Sequence, residues 1–314
     1  MGKKITNKSN QRWFSIWRWG AIALLISAIA ACSNAPDPNL TTSDAESTEP
    51  IEAEVADAPP TATADRIVTL TPLTADLVQT LDEDKLVGVP GSSLIRQDSR
   101  FATLEIVSEG RTEPDLEKII ALEPDLVIGA LGFHDKSLAR LQEHGVDTLA
   151  VDVTSWEALE ALTEDLAQRT NTNPDSLLAR YDACLAQAPE TSPDALVLVS
   201  RQPLLSPNKA SWAGDFLAQF NIQNVTAELQ GESPFDGYIT LSEEKVLTAD
   251  PDMLLVVETD NTLLEALKGD PFWGELAATQ TNQVYTFDYF GLVNPGSLAS
   301  IEATCSKLAE LSPS

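Results

Sequence analysis

Residues 117–128 read EKIIALEPDLVI, and residues 244–255 read EKVLTADPDMLL. Glu117 and Lys118 correspond to Glu244 and Lys245, and Pro124-Asp125 corresponds to Pro251-Asp252. Each copy predicts a short helix, a Pro-Asp turn and an apolar strand. A segment that says the same thing twice, 127 positions apart, predicts two similar lobes.

Working outward, the pattern persists. RIVTLTP (66–72) predicts a strand closed by proline, TADLVQTL (74–81) a helix and KLVGVPG (85–91) a second strand. After the first copy, SLARLQEHG predicts a helix ending at Gly145, and DTLAVD (147–152) a strand. The second half repeats the order. DALVLVSRQP (194–203) predicts a strand, WAGDFLAQF a helix and QNV a short strand. QVYTFD (283–288) and SLASIEATCSKLAEL (297–311) predict a final strand and helix. Nearly continuous apolar strands alternating with helices indicate α/β lobes with mostly parallel sheets. Between them Leu159, Leu162 and Leu166 share a helical face, and Asn173-Pro174 opens another helix. The expected organisation is a lobe at 66–172, one linking helix at 173–189 and a lobe at 190–314, with a ligand cleft between the lobes.

The chain has 314 residues, 43% of them hydrophobic, and a net charge of −28. That charge argues against nucleic acid as a partner, because neutralising phosphates needs clustered Lys and Arg. Two histidines are too few for a His-rich metal site. No GxSxG elbow, GxxxxGK or GxGxxG phosphate loop, or HExxH appears. A non-enzyme is expected.

The start of the chain carries a separate message. Lys3, Lys4, Lys8, Arg12 and Arg18 precede the apolar run AIALLISAIAA (21–31), which Cys32 follows. Eleven apolar residues fall short of the ~20 that span a bilayer, so 1–32 reads as a signal peptide. Ile29-Ala30-Ala31-Cys32 resembles a bacterial lipobox, which implies lipidation at Cys32 and a membrane anchor. Removing the five cations deepens the net charge from −28 to −33. Residues 33–65 hold eight acids and no Lys or Arg, and read as a disordered acidic tether. Cys184 and Cys305 both sit in helical patterns, and whether they pair stays open.

Several stretches, in this order, resemble the substrate-binding proteins of ABC importers for ferric siderophores, haem and cobalamin. They are RIVTLTPLTADLVQTL, KLVGVPG, EPDLEKIIALEPDLVIG, YITLSEEKVLTADPDMLLVV and PFWGELAATQTNQVYTFD, and the likeness covers 66–312. It implies two lobes joined by one helix. It also implies an extracytoplasmic, lipid-anchored monomer that captures a ferric siderophore, or alternatively cobalamin. The cargo passes to an ABC permease with its ATPase, and no cofactor is needed because iron arrives within the chelate. Glu105 and Glu244 match the paired glutamates that dock on the permease in this family. The chain departs in its acidity, in its GALGFHDK loop and in lacking a His or Tyr cluster for haem. A lipid-anchored enzyme or adhesion module on the same scaffold is the reading from a different class.

Open α/β lobes bind ligands beyond the carboxyl ends of their strands. In the first lobe this selects Thr71, Pro72, Ser92, Phe133 and His134. In the second it selects Arg201, Trp212, Tyr238, Tyr289 and Phe290. Aromatic faces suit a bulky organic ligand, and a guanidinium grips a carboxylate or catecholate in two-pronged fashion. Arg201 is the main cationic candidate, ahead of Arg96, Arg100, Arg111 and Lys136.

Overall fold

The computed structural model describes residues 62–109, 112–190, 193–231, 233, 235–259 and 262–311. The expected signal peptide, Cys32, the 33–61 part of the expected tether and Arg111 lie outside the described residues.

The first lobe contains β1 (Ile67–Thr69), α1 (Pro72–Leu81), β2 (Leu86–Pro90), α2 (Ser93–Gln97) and β3 (Glu105–Ser108). It continues through α3 (Leu116–Ala121), β4 (Leu126–Ala130), α4 (Asp135–Glu143) and β5 (Asp147–Val151). The five strands form one parallel sheet, ordered β3-β2-β1-β4-β5. Ile67, Val68, Val127 and Ile128 are fully buried, as strands covered on both faces require. The edge strand β3 lacks such a run and was not predicted.

The repeated segment shows why it recurs. In the first copy the Asp115 side chain accepts from the Lys118 amide at the start of α3. The Asp125 carboxylate then accepts from the amides of Asp65 (2.8 Å) and Arg66 (3.0 Å), just ahead of β1. The last two residues of the expected tether are therefore fastened, and Ala64 is buried with its amide on the Arg169 carbonyl.

Two helices follow, α5 (Trp156–Thr170) and α6 (Asp175–Leu185), the second within the stretch expected to cross between lobes. At the start of α5 the Trp156 amide donates to Asp215 (2.7 Å) in the second lobe. At its end Lys85 of the first lobe donates to the Thr170 carbonyl. The pair thus touches both halves. A Cys184–Cys305 disulfide ties α6 to the terminal helix, with Cα atoms 5.6 Å apart.

The second lobe begins with β6 (Asp194–Leu198), β7 (Ser200–Arg201), β8 (Leu204–Pro207), α7 (Trp212–Gln219) and β9 (Gln223–Asn224). Next come β10 (Tyr238–Leu241), α8 (Glu243–Ala249), β11 (Met253–Glu258), α9 (Leu263–Lys268) and α10 (Ala277–Gln280). It ends with β12 (Val284–Asp288), a kinked turn α11 (Tyr289–Leu292) and α12 (Leu298–Ala309). A parallel sheet runs β12-β11-β6-β9, and a separate antiparallel sheet runs β10-β8-β7. The strand predicted over 194–203 divides at Val199, whose amide turns to the Leu205 carbonyl and starts the β7–β8 pairing.

Candidate functional site

A cleft of about 1050 Å³ lies between the lobes. The first lobe supplies Pro72 and Asp76 from α1 together with α2 and the turn 98–101. The second supplies the end of β12, Tyr289, Phe290 and one face of α12. That face is Ser300, Ala303, Thr304 and Lys307, a stripe at helical spacing opposite the buried Leu298, Ile301, Cys305 and Leu308.

The floor is held by one carboxylate. Asp76, 1% exposed, accepts from the Leu298 amide (2.7 Å) and from Arg100 Nη2 (2.8 Å). The α1 of one lobe is thereby bonded to the α12 of the other. Arg100 turns its Nε toward Asp98, 3.0 and 3.2 Å from the two oxygens. That hydrogen bonding holds the Asp98 carboxyl below the ordinary range. Across the cleft the Lys307 ammonium lies 4.9 Å from the Phe287 ring centroid.

Tyr289 and Phe290 meet edge to face, 5.4 Å between centroids. Their position depends on Gly291, whose φ of +104° suits glycine. A Cβ there would collide with the Ser300 carbonyl and the Thr304 hydroxyl on α12. The Gly291 carbonyl also accepts from Trp212 Nε1 at 2.8 Å.

Of the residues selected from sequence, Pro72, Ser92, Tyr289 and Phe290 line the cleft. Thr71 and Ser92 cap α1 and α2 through their side chains. Trp212 does not reach the cleft. It is 3% exposed, stacked on Trp156 at 5.7 Å and packed against Phe216. Its expected ligand role is therefore corrected to that of a core anchor under the Tyr289–Phe290 turn.

Arg201 is likewise redirected. It forms a two-pronged pair with Asp270 and borders a separate recess of about 330 Å³. His134 is buried, its Nδ1 accepting from the Ala130 amide (2.9 Å), and burial lowers its pKa. Phe133 is exposed and packs edge-on against His134. Tyr238 is half-buried, and burial raises its pKa. Neither Phe133, His134 nor Tyr238 is among the residues lining the cleft. Glu105 is exposed and pairs with Lys118 (3.2 Å), and Glu244 lies exposed in the first turn of α8.

The family model described as periplasmic binding protein matches residues 67–289, from β1 into the aromatic turn of the cleft. The chain belongs to the periplasmic binding protein family. Its curated relatives include a vitamin B12-binding protein of Salmonella typhi, 25% identical over 79% of this chain and 91% of the relative. The Fe(3+)-citrate-binding protein YfmC of Bacillus subtilis is 25% identical over 60% of this chain and 61% of its own length. Among solved structures, the periplasmic heme-binding protein HutB of Vibrio cholerae superposes with a TM-score of 0.63 at 21% identity. That superposition covers 77% of this chain and 98% of HutB. The family match identifies a periplasmic solute-binding protein, and the solved neighbour shares its fold.

As a periplasmic binding protein the chain has cleft residues that sequence reading did not select. Lys307, Ser300 and Thr304 lie in the helix predicted over 297–311, from which no cleft residue was selected. A signal was available, since SLASIEATCSKL places small and polar residues on one stripe. Arg100 ranked behind Arg201 because the sequence does not reveal which guanidinium a partner acid turns toward the cleft.

Proposed function

We propose that this protein is a lipid-anchored extracytoplasmic receptor that captures a bulky metal chelate of low charge and delivers it to an ABC permease. A ferric siderophore of the hydroxamate type is the first reading. The supporting observation is the inter-lobe cleft, about 1050 Å³, with Tyr289 and Phe290 on one wall and its Arg100 already engaged by two carboxylates. Its volume lies just above the ~300–1,000 Å³ usual for small-molecule sites, which suits a large ligand. Among the described residues, no group of three His, Cys, Asp or Glu is placed to hold a bare metal ion. The chelate itself carries the metal in this reading. A second reading, capture of cobalamin, is favoured by the vitamin B12-binding relatives and by the same volume.

Titration of tryptophan fluorescence with a ferric hydroxamate, ferric citrate, haem and cyanocobalamin tests the assignment. Saturable quenching by the hydroxamate, with no product formed, is expected. Quenching by cyanocobalamin alone replaces the first reading with the second, and turnover of any ligand defeats both. Cys32→Ala is expected to release the protein from the membrane fraction. Glu105→Lys and Glu244→Lys are each expected to lower uptake in reconstituted vesicles, and unchanged uptake removes their docking role.

A further inference from the structure

The described lining of the cleft carries four carboxylates, Asp76, Asp98, Glu258 and Asp288, against two cations, Arg100 and Lys307. Three of these groups have fixed employment. Glu258 accepts from the amides of Leu263 (3.0 Å) and Leu264 (2.8 Å) at the start of α9. Asp76 is buried and divided between Leu298 and Arg100. Lys307 lies over the Phe287 ring. Asp98 differs from them. It faces the cleft, its side chain is 28% exposed, and its main side-chain partner is Arg100.

A guanidinium can hold a ligand carboxylate in two parallel hydrogen bonds, which makes it the natural grip for a polyanionic chelate. Here Arg100 offers its Nε to Asp98 and its Nη2 to both Asp98 and Asp76. Two negative charges at hydrogen-bond distance cancel its attraction for a third anion and leave a net repulsion at short range. We propose that Asp98 determines the charge class of the ligand: by occupying Arg100 it admits uncharged or cationic chelates and rejects polyanionic ones. The proposal rests on reading the cleft as the chelate site and adds the device that selects among chelates.

The test compares the wild-type chain with Asp98→Asn, which keeps an oxygen to accept the Arg100 amide bond that Asp98 now accepts at 2.9 Å. Affinities for ferric citrate and for a ferric hydroxamate are measured by calorimetry, with circular dichroism melts to verify folding. Asp98→Asn is expected to raise the ratio of citrate to hydroxamate affinity about tenfold or more, the scale of one charged hydrogen bond made available. Adding Arg100→Gln to Asp98→Asn is expected to abolish that gain. An unchanged ratio, a gain that survives Arg100→Gln, or wild-type binding of citrate as tight as of hydroxamate overturns the proposal. Failure of the functional reading looks different: no hydroxamate or cyanocobalamin binds the wild type, while Asp98→Asn still acquires citrate through Arg100.

Discussion

The two copies of the helix–turn–strand segment do the same work in different settings. In the second copy Ser242 caps α8 by accepting from the Lys245 amide, where Asp115 serves α3. Asp252 accepts from the amide of Asp194 at the start of β6, where Asp125 holds the residues before β1. The motif strands β4 and β11 both sit between a first strand and a last strand in their sheets. Beyond that centre the lobes diverge. In the first, the strand preceding the motif, β3, stays in the parallel sheet. In the second, the corresponding β10 leaves it to pair antiparallel with β8. The duplicated segment therefore specifies the middle of a sheet, and local pairing decides its edge.

The largest test of this equivalence is covalent. The disulfide joins α6 to α12 across a separation of 121 residues. Closing a loop of that size stabilises by roughly 4–5 kcal/mol in the chain-entropy account. Residues 66–155 contain no tryptophan, whereas Trp212 and Trp273 lie in the second lobe and Trp156 stacks on Trp212. In urea, Cys184→Ser with Cys305→Ser is expected to lower the fluorescence midpoint more than the circular dichroism midpoint. Coincident midpoints would show that the lobes unfold as one unit.

A smaller effect separates the two aspartates. Among the described residues Asp125 satisfies two amides at 2.8 and 3.0 Å, and Asp252 one at 3.3 Å. Asp125→Ala is expected to cost about 1.5 kcal/mol and Asp252→Ala about 0.5 kcal/mol, at roughly 1 kcal/mol for a good bond and less for a long one. Equal losses in chemical denaturation would remove the distinction.

How far these features could be read from sequence follows the same division. The sheet centres were legible because strands buried on both faces show as unbroken apolar runs, as in LVIGA and MLLVVE. The edges were not. Glu105 and Ile106 of β3 are exposed or half-buried, and the split at Val199 depends on a partner several residues away. Within the cleft, Tyr289 and Phe290 were legible from their place after a strand. Trp212 had the same credentials, but its destination was fixed by Trp156 and Phe216 on other elements. Arg201 was lost to Asp270, 69 residues distant, an ion pair that no local pattern announces.

Acidification provides a third contrast, since both histidines belong to the first lobe. Burial lowers the pKa of His134 from its ordinary 6.5, and neutral Nδ1 accepts the Ala130 amide. A depressed pKa means that the fold binds this proton less readily than the unfolded chain. The stability it maintains is complete above pH 6.5 and declines as pH falls through that value toward the lowered one. His134→Asn, which retains an acceptor but does not titrate, is expected to flatten the loss of melting temperature between about pH 7.5 and 5. An unaltered slope would place the acid sensitivity elsewhere.

The finest comparison concerns the residue that ends each motif helix. Glu123 has φ of 49° and Asp250 has φ of 33°, so both copies place a side chain in left-handed backbone. Glycine relieves that conformation by about 1 kcal/mol but increases the entropy of the unfolded chain. At Glu123 the side chain is exposed, and relief is expected to dominate, so Glu123→Gly stabilises by roughly 0.5 kcal/mol. At Asp250 the carboxylate also accepts from the Ala277 amide at 2.9 Å and fastens α10 to the end of α8. Losing that bond offsets the relief, so Asp250→Gly is expected to be neutral or destabilising. Opposite signs in paired denaturation curves would mean that the second copy recruited its turn residue to hold a neighbouring helix. Equal stabilisation would reduce the Asp250–Ala277 contact to a bond without net weight.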